Sequence, residues 1–116
     1  MIEILNGTHE TVAYRDMHGI KLLRNQESEN FPVHWHAALE IIAPVRNGYE
    51  VRTNGVTVSF RPGDLFLIPP GELHALHAPE VGERLILQFD YALFGQLSGM
   101  DSLLHMLRPY RLITAE

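Results

Sequence analysis

The chain has 116 residues, of which 46% are hydrophobic and 20% charged, so we expect one globular domain with a real core and no second one. It contains no cysteine, which excludes disulfides, thiolate metal sites and cysteine nucleophiles. Its formal net charge is −5 and its arginines are scattered, which argues against direct binding to nucleic acid because phosphate backbones are bound by clustered lysines and arginines.

The first residues, Met-Ile-Glu-Ile-Leu-Asn-Gly, lack the basic start and long apolar run of a signal peptide. No stretch reaches the length needed to span a membrane. We therefore expect a cytoplasmic protein without membrane contact.

Apolar and polar residues alternate through much of the chain, with turn residues between the alternating segments, a pattern typical of short antiparallel strands. We predict strands at 10–16, 19–26, 33–36, 38–45, 48–53, 56–60, 64–68, 74–78 and 83–90. Asn47-Gly48 and Asn54-Gly55 are hairpin signals, because Asn and Gly tolerate the positive φ angles of tight turns. The run 38–60 is then a meander of three strands, and the Pro- and Gly-containing segments 62–64 and 69–71 are further turns.

After residue 90 the apolar residues change to helical spacing, which predicts one or two short helices in a C-terminal segment 91–116. Asp90 and Asp101 are positioned as N-caps, and Pro109 ends the second helix. No clear element finishes the chain. We expect residues 1–90 to form a barrel domain and 91–116 to begin a linker or dimerisation region of a longer protein.

Polar residues recur on one face of the segment His34-Trp35-His36-Ala37-Ala38-Leu39-Glu40. Because side chains alternate along an extended chain, His34, His36 and Glu40 point the same way. If that face looks into the core, each polar group left unsatisfied costs about 1–3 kcal/mol. A shared metal ion or polar ligand would satisfy all three, as would a buried polar network. His74 follows a turn further along the chain, and spacing alone does not show that it meets the other three.

The two segments resemble the paired signatures of the cupin superfamily, which are small β-barrels. The first signature matches at His34, His36 and Glu40, and the second at Gly63, Pro69, Gly71 and His74. The resemblance implies an all-β cupin (jelly-roll) barrel with His34, His36, Glu40 and His74 as metal- and effector-binding positions inside it. Three positions around the ligand set depart from the family pattern, namely Ser28, Gly48 and Ala78.

The stretch from Phe31 to Phe89 resembles more narrowly the N-terminal sensing domain of AraC-type transcriptional regulators. The resemblance is carried by the His-Trp-His segment before a Glu-Ile-Ile strand, the Asn54-Gly55 hairpin, the Pro-Gly-Asp-Leu-Phe-Leu-Ile-Pro-Pro segment and a strand ending in Phe-Asp. It implies a small-molecule effector, a homodimer formed through the helices that follow the barrel, and DNA binding only through a C-terminal domain absent from this chain.

We therefore predict a non-enzymatic effector sensor. The alternatives are a stand-alone metal-dependent cupin enzyme, such as a dioxygenase, isomerase or decarboxylase, and a sugar-binding or scaffold barrel. A three-nitrogen, one-oxygen set suits Zn, Ni, Mn or Fe(II), and the same residues would also serve a metal-free pocket. His9, His18 and His105 receive no functional role. His77 is left undecided, because a regular strand places it on the face opposite His74, whereas a bulge or turn would bring it inside.

Overall fold

A computed structural model of the chain describes residues 2, 4–14, 19–26, 30–93 and 97–115. Most of these residues lie in short strands joined by tight turns, with one turn of 3₁₀-helix at Tyr91–Leu93. The strands and the α-helix are β1 Ile4–Asn6, β2 His9–Thr11, β3 Ile20–Asn25, β4 Phe31–His34, β5 Ala38–Arg46, β6 Tyr49–Thr53, β7 Val56–Phe60, β8 Leu65–Ile68, β9 His74–His77, β10 Glu83–Asp90, α1 Met100–Met106 and β11 Arg111–Ile113.

The described strands form two larger antiparallel sheets, one ordered β11-β8-β5-β10-β3 and the other β4-β9-β6-β7, together with the small hairpin β1-β2. Along β5 the buried and half-buried residues alternate, because one face of the strand looks into the space between the two sheets. Ile42, Phe66 and Ile86 fill that space from one sheet, and Val51 and Leu76 fill it from the other. The predicted all-β cupin-type barrel is confirmed.

The sequence predicts the turns better than the strand pairing. Asn54 and Gly55 both have positive φ angles (52° and 75°) and join β6 to β7 as a tight hairpin. At the other predicted hairpin, Asn47 has a positive φ of 65° but Gly48 does not. The predicted meander over 38–60 is therefore wrong: β5 pairs with β8 and β10, and the chain crosses to the second sheet before β6 begins.

The C-terminal segment is only partly helical. Asp90 accepts a hydrogen bond from the Ala92 amide at 3.2 Å, as expected of a cap, and α1 ends before Pro109. Asp101 is not the N-cap of α1, because Gly99 holds that position with a φ of 80° and Asp101 lies in the first turn. No element was predicted after Pro109, but residues Arg111–Ile113 form the strand β11, which pairs with β8.

Seven of the nine predicted strands agree with the structure to within one residue at each end. The exceptions are the strand predicted at 33–36, which covers Phe31–His34, and the strand predicted at 10–16, which is the shorter β2. Ser28, His18 and residues 15–16 of that strand lie outside the described residues. Among the helices of the described chain, none is long and apolar enough to cross a membrane.

Candidate metal and effector site

The two sheets bring the four predicted site residues together. His34 at the end of β4 lies directly opposite His74 at the start of β9 in the second sheet. Glu40 in β5 lies opposite Gln88 in β10, in the first sheet. All of these side chains are almost completely buried, as is His36. The cluster therefore forms where the inner faces of the two sheets meet.

The three histidines converge closely enough to share one ion. One ring nitrogen of His34, one of His36 and one of His74 lie within 4.8 Å of one another. The ring centroids of His34 and His74 are 4.3 Å apart, and those of His36 and His74 are 5.0 Å apart. Glu40 adjoins two of the rings, with Oε1 at 3.1 Å from His36 Nε2 and Oε2 at 4.0 Å from His74 Nε2.

Backbone carbonyls fix the tautomer of each ring. The Nδ1–H of His34 donates to the Pro32 carbonyl at 2.7 Å, and the Nδ1–H of His74 donates to the Glu72 carbonyl at 2.8 Å. His36 donates in the same way to Ala38 at 3.1 Å. A carbonyl oxygen only accepts, so Nδ1 carries the proton and Nε2 is left facing the cluster. Metal-binding histidines in proteins are commonly oriented by such contacts.

His36 and Glu40 form a buried ion pair. Burial opposes charge on both side chains, but the hydrogen bond between them and their opposite charges outweigh it, raising the pKa of His36 and lowering that of Glu40. Gln88 donates a further hydrogen bond to Glu40 Oε1 at 2.8 Å. Burial lowers the pKa of His34 and lowers that of His74 to about 4, so both rings are neutral near pH 7.

Several polar atoms of the cluster have no hydrogen-bond partner. These are His34 Nε2, His74 Nε2 and Glu40 Oε2. Leaving such groups unsatisfied in the interior costs about 1–3 kcal/mol each. A purely structural polar network would satisfy these atoms internally, so this observation favours a ligand or an ion over such a network.

Sequence reasoning missed a fifth polar side chain, Glu10. It is 1% exposed, and its Oε1 lies 3.4 Å from His34 Nε2 without a hydrogen-bond partner. Burial raises the pKa of Glu10 to about 7. In the sequence, Glu10 is only the first residue of the strand predicted at 10–16, and no motif marks it.

A cavity of about 230 Å³ borders the cluster on the Glu10 side. Three of its polar residues are Glu10, Tyr14 and Asp90. Its full lining consists of His9, Glu10, Thr11, Val12, Tyr14, Ala37, Ala38 and Asp90. Of the five cluster residues, Glu10 alone lines this cavity, so a small polar molecule bound there would meet the cluster through Glu10.

His9, His77 and His105, the other histidines that the structure describes, lie apart from the cluster. The ring of His9 packs against Trp35 with centroids 4.3 Å apart. His77 lies on the outer face of β9, where a regular strand places it, and there it contacts Asn30 and approaches Glu50 at 3.5 Å. His105 is exposed on α1. His77 therefore provides a matched control for His74 on the same strand.

Comparison with known proteins relates this fold to a family. The family described as AraC-like ligand binding domain matches residues 20–110. Among curated proteins no significant match is found.

Several solved structures share the fold. A cupin-2 domain protein from Shewanella frigidimarina NCIMB 400 has 20% identity and a TM-score of 0.54, with 65% of this chain and 74% of that one covered. DMSP lyase DddQ from Ruegeria pomeroyi DSS-3 has 21% identity and a TM-score of 0.51, with 68% and 39% covered. ToxT from Vibrio cholerae strain SCE256, with an unsaturated fatty acid bound, has 11% identity and a TM-score of 0.53, with 84% and 40% covered.

Proposed function

Because the chain belongs to the family of AraC-like ligand-binding domains, we propose that it is the effector-sensing domain of a cytoplasmic transcriptional regulator and binds a small molecule without catalysis. One observation carries this proposal: buried lone pairs of His34, His74 and Glu40 converge on one place in the barrel without partners. An effector with oxygen or nitrogen donors would satisfy them. The adjoining cavity of about 230 Å³ is below the roughly 300–1,000 Å³ of drug-sized pockets, which favours a small metabolite.

The residues fit a divalent cation. Three imidazoles with their Nδ1 atoms engaged by carbonyls, together with the Glu40 carboxylate, form a nitrogen-and-oxygen set of the kind that Zn, Ni, Mn or Fe(II) accepts. We therefore propose His34, His36, Glu40 and His74 as its ligands. A bound cation would supply a coordination position for donor atoms of the effector.

DNA recognition is assigned to a different part of the regulator. The net charge of −5 does not suit a phosphate backbone, so DNA would be bound through a C-terminal domain outside this chain. The chain spans 40% of ToxT. An effector bound more tightly in one arrangement of the domains would shift the population toward that arrangement.

We also propose that the sensor is a homodimer. Strand registers place Leu22, Leu87, Ile41 and Leu67 in one apolar row across the outer face of the five-stranded sheet. Leu22 is 53% exposed, and on α1 Met106 is 66% exposed. We propose that a second copy packs on this row of the sheet, so sedimentation should show a dimer. Leu87→Lys should convert this dimer to a monomer, whereas Met106→Lys should leave it intact. The reverse pattern would assign the interface to α1, and a monomeric unmodified protein would contradict the dimer.

A thermal-shift screen of small metabolites tests the sensor proposal, because a ligand that binds the folded state raises the melting temperature by mass action. A true effector raises the melting temperature of the unmodified protein and of His77→Ala, and has no effect on His74→Ala. An equal rise in His74→Ala would place the binding site elsewhere. Turnover of the compound by the purified chain would support the cupin-enzyme alternative, whereas a reading frame continuing into a basic double helix-turn-helix would support the regulator.

A further inference from the structure

Glu10 reaches the histidine cluster from a strand that precedes the family match, which begins at residue 20. A short parallel bridge holds it there. The Glu10 amide donates to the Trp35 carbonyl at 2.8 Å, and the Trp35 amide donates to the Thr8 carbonyl at 2.7 Å. The His9 ring packs on the Trp35 ring and reinforces the bridge. Because Trp35 lies between His34 and His36, this pairing sets the position of Glu10 relative to both histidines.

When Glu10 is ionised, its contact with His34 has no favourable explanation within the metal-free protein. Nδ1 of His34 is the protonated nitrogen, so Nε2 faces the Glu10 carboxylate with a lone pair. Two buried acceptors therefore lie 3.4 Å apart, and neither has a hydrogen-bond partner. Two neighbouring ligands at about 2.1 Å from one ion are about 3.0 Å apart at the 90° angle of octahedral coordination and about 3.4 Å apart at the tetrahedral angle. The observed 3.4 Å lies at the upper end of this range, so Glu10 and His34 are close enough to bind the same ion in a distorted coordination shell.

The two carboxylates at the cluster also favour a bound cation. Glu10 and Glu40 are both buried at the three-imidazole cluster, Glu10 beside His34 and Glu40 beside His36. A divalent cation balances two carboxylates while leaving the three imidazoles neutral, which is the form in which histidine binds metal.

We propose that Glu10 is a fifth ligand of the cation, a role that rests on the proposed metal site. The donor set is then three nitrogens and two carboxylates. Five protein donors exceed the four of a tetrahedral zinc site and suit a metal that accepts six, such as Mn(II), Fe(II) or Ni(II). This ligand role also explains why the strand β2 carries a carboxylate that is buried inside the barrel.

Calorimetric titration of Mn²⁺ into the chelator-treated full chain tests this role. The variants are Glu10→Gln, Glu40→Gln and, as a chemically matched control at an exposed glutamate away from the site, Glu80→Gln. We expect Glu10→Gln to weaken Mn²⁺ binding at least tenfold and to alter the electron paramagnetic resonance spectrum of the bound ion. Glu80→Gln should change neither. Glu10→Asp, which keeps the charge on a shorter side chain, should bind Mn²⁺ with intermediate affinity and replaces Glu10→Gln if that variant does not fold.

The outcomes separate the two proposals. Normal affinity and an unchanged spectrum in Glu10→Gln, with binding lost in Glu40→Gln, would overturn the role of Glu10 and leave the metal site intact. Failure of the unmodified chain to bind Mn²⁺, Fe²⁺, Ni²⁺ or Zn²⁺ would overturn the metal site and the role of Glu10 with it.

Discussion

Gln88 orients Glu40, so replacing Gln88 should weaken metal binding although Gln88 is not itself a proposed ligand. Its amide donates to Glu40 Oε1 at 2.8 Å, and its side chain is fully buried. Removing a partner of a metal ligand typically costs 10–100-fold in metal affinity. We therefore expect Gln88→Leu to weaken binding by that factor, which corresponds to about 1.4–2.8 kcal/mol.

The same substitution should destabilise the metal-free protein. A hydrogen bond to a charged group is worth about 1.5–3 kcal/mol, so the melting temperature should fall by roughly 6–12 °C. Calorimetric metal titration and thermal melting measure the two effects separately.

Gln26→Leu is a matched control, because the Gln26 amide also donates to a carboxylate, that of Glu83, at 3.2 Å. Its metal affinity should equal that of the unmodified protein. The reasoning is refuted if Gln88→Leu binds metal within threefold of the unmodified protein, or if Gln26→Leu weakens binding equally.

Three further predictions concern the frame around the site. The ring of Phe66 stacks between those of Phe60 and Tyr110, each 5.1 Å away, so Phe66→Ala should lower the free energy of unfolding by about 3–5 kcal/mol in urea titrations. A Cβ on Gly82 would lie 2.3 Å from the Arg46 carbonyl oxygen, so Gly82→Ala should lower the melting temperature, whereas Gly7→Ala, whose Cβ meets no atom within 4 Å, should lower it less. The hydrogen bond from Arg24 lowers the pKa of Glu83. The pair therefore stabilises the fold above the ordinary glutamate pKa, and this stability is lost as the pH falls. Glu83→Gln should reduce the loss of melting temperature at acidic pH.

The sequence predicts the first part of the site from local geometry. Alternation along an extended chain predicts that His34, His36 and Glu40 point the same way, and all three are buried together. The reason is different, because His34 and Glu40 lie in strands of different sheets and meet across the space between them. His74 was joined to them only through the resemblance to a family, since its place depends on the pairing of β4 with β9. Such pairing is not visible in local sequence.

The features that were missed depend on contacts between distant parts of the chain. Glu10 enters the cluster because the backbone of Thr8 and Glu10 forms hydrogen bonds with the backbone of Trp35. The three-residue strand β11 exists because β8 offers it an edge, and Asp64 also accepts a hydrogen bond from the Ala115 amide at 3.1 Å. The Asn47-Gly48 pair was wrongly predicted to form a tight hairpin, because the residue types alone do not reveal that only Asn47 takes a positive φ.

Nitrogen-detected nuclear magnetic resonance of the histidine rings, before and after addition of diamagnetic Zn²⁺ to chelator-treated protein, tests whether the three imidazoles hold a cation. We expect Nδ1–H tautomers for His34 and His74 without metal. On addition of one equivalent of Zn²⁺, we expect the Nε2 resonances of His34, His36 and His74 to shift to values typical of coordination, with His77 unchanged. Nε2–H tautomers for His34 and His74, or spectra unaffected by Zn²⁺, would contradict this expectation.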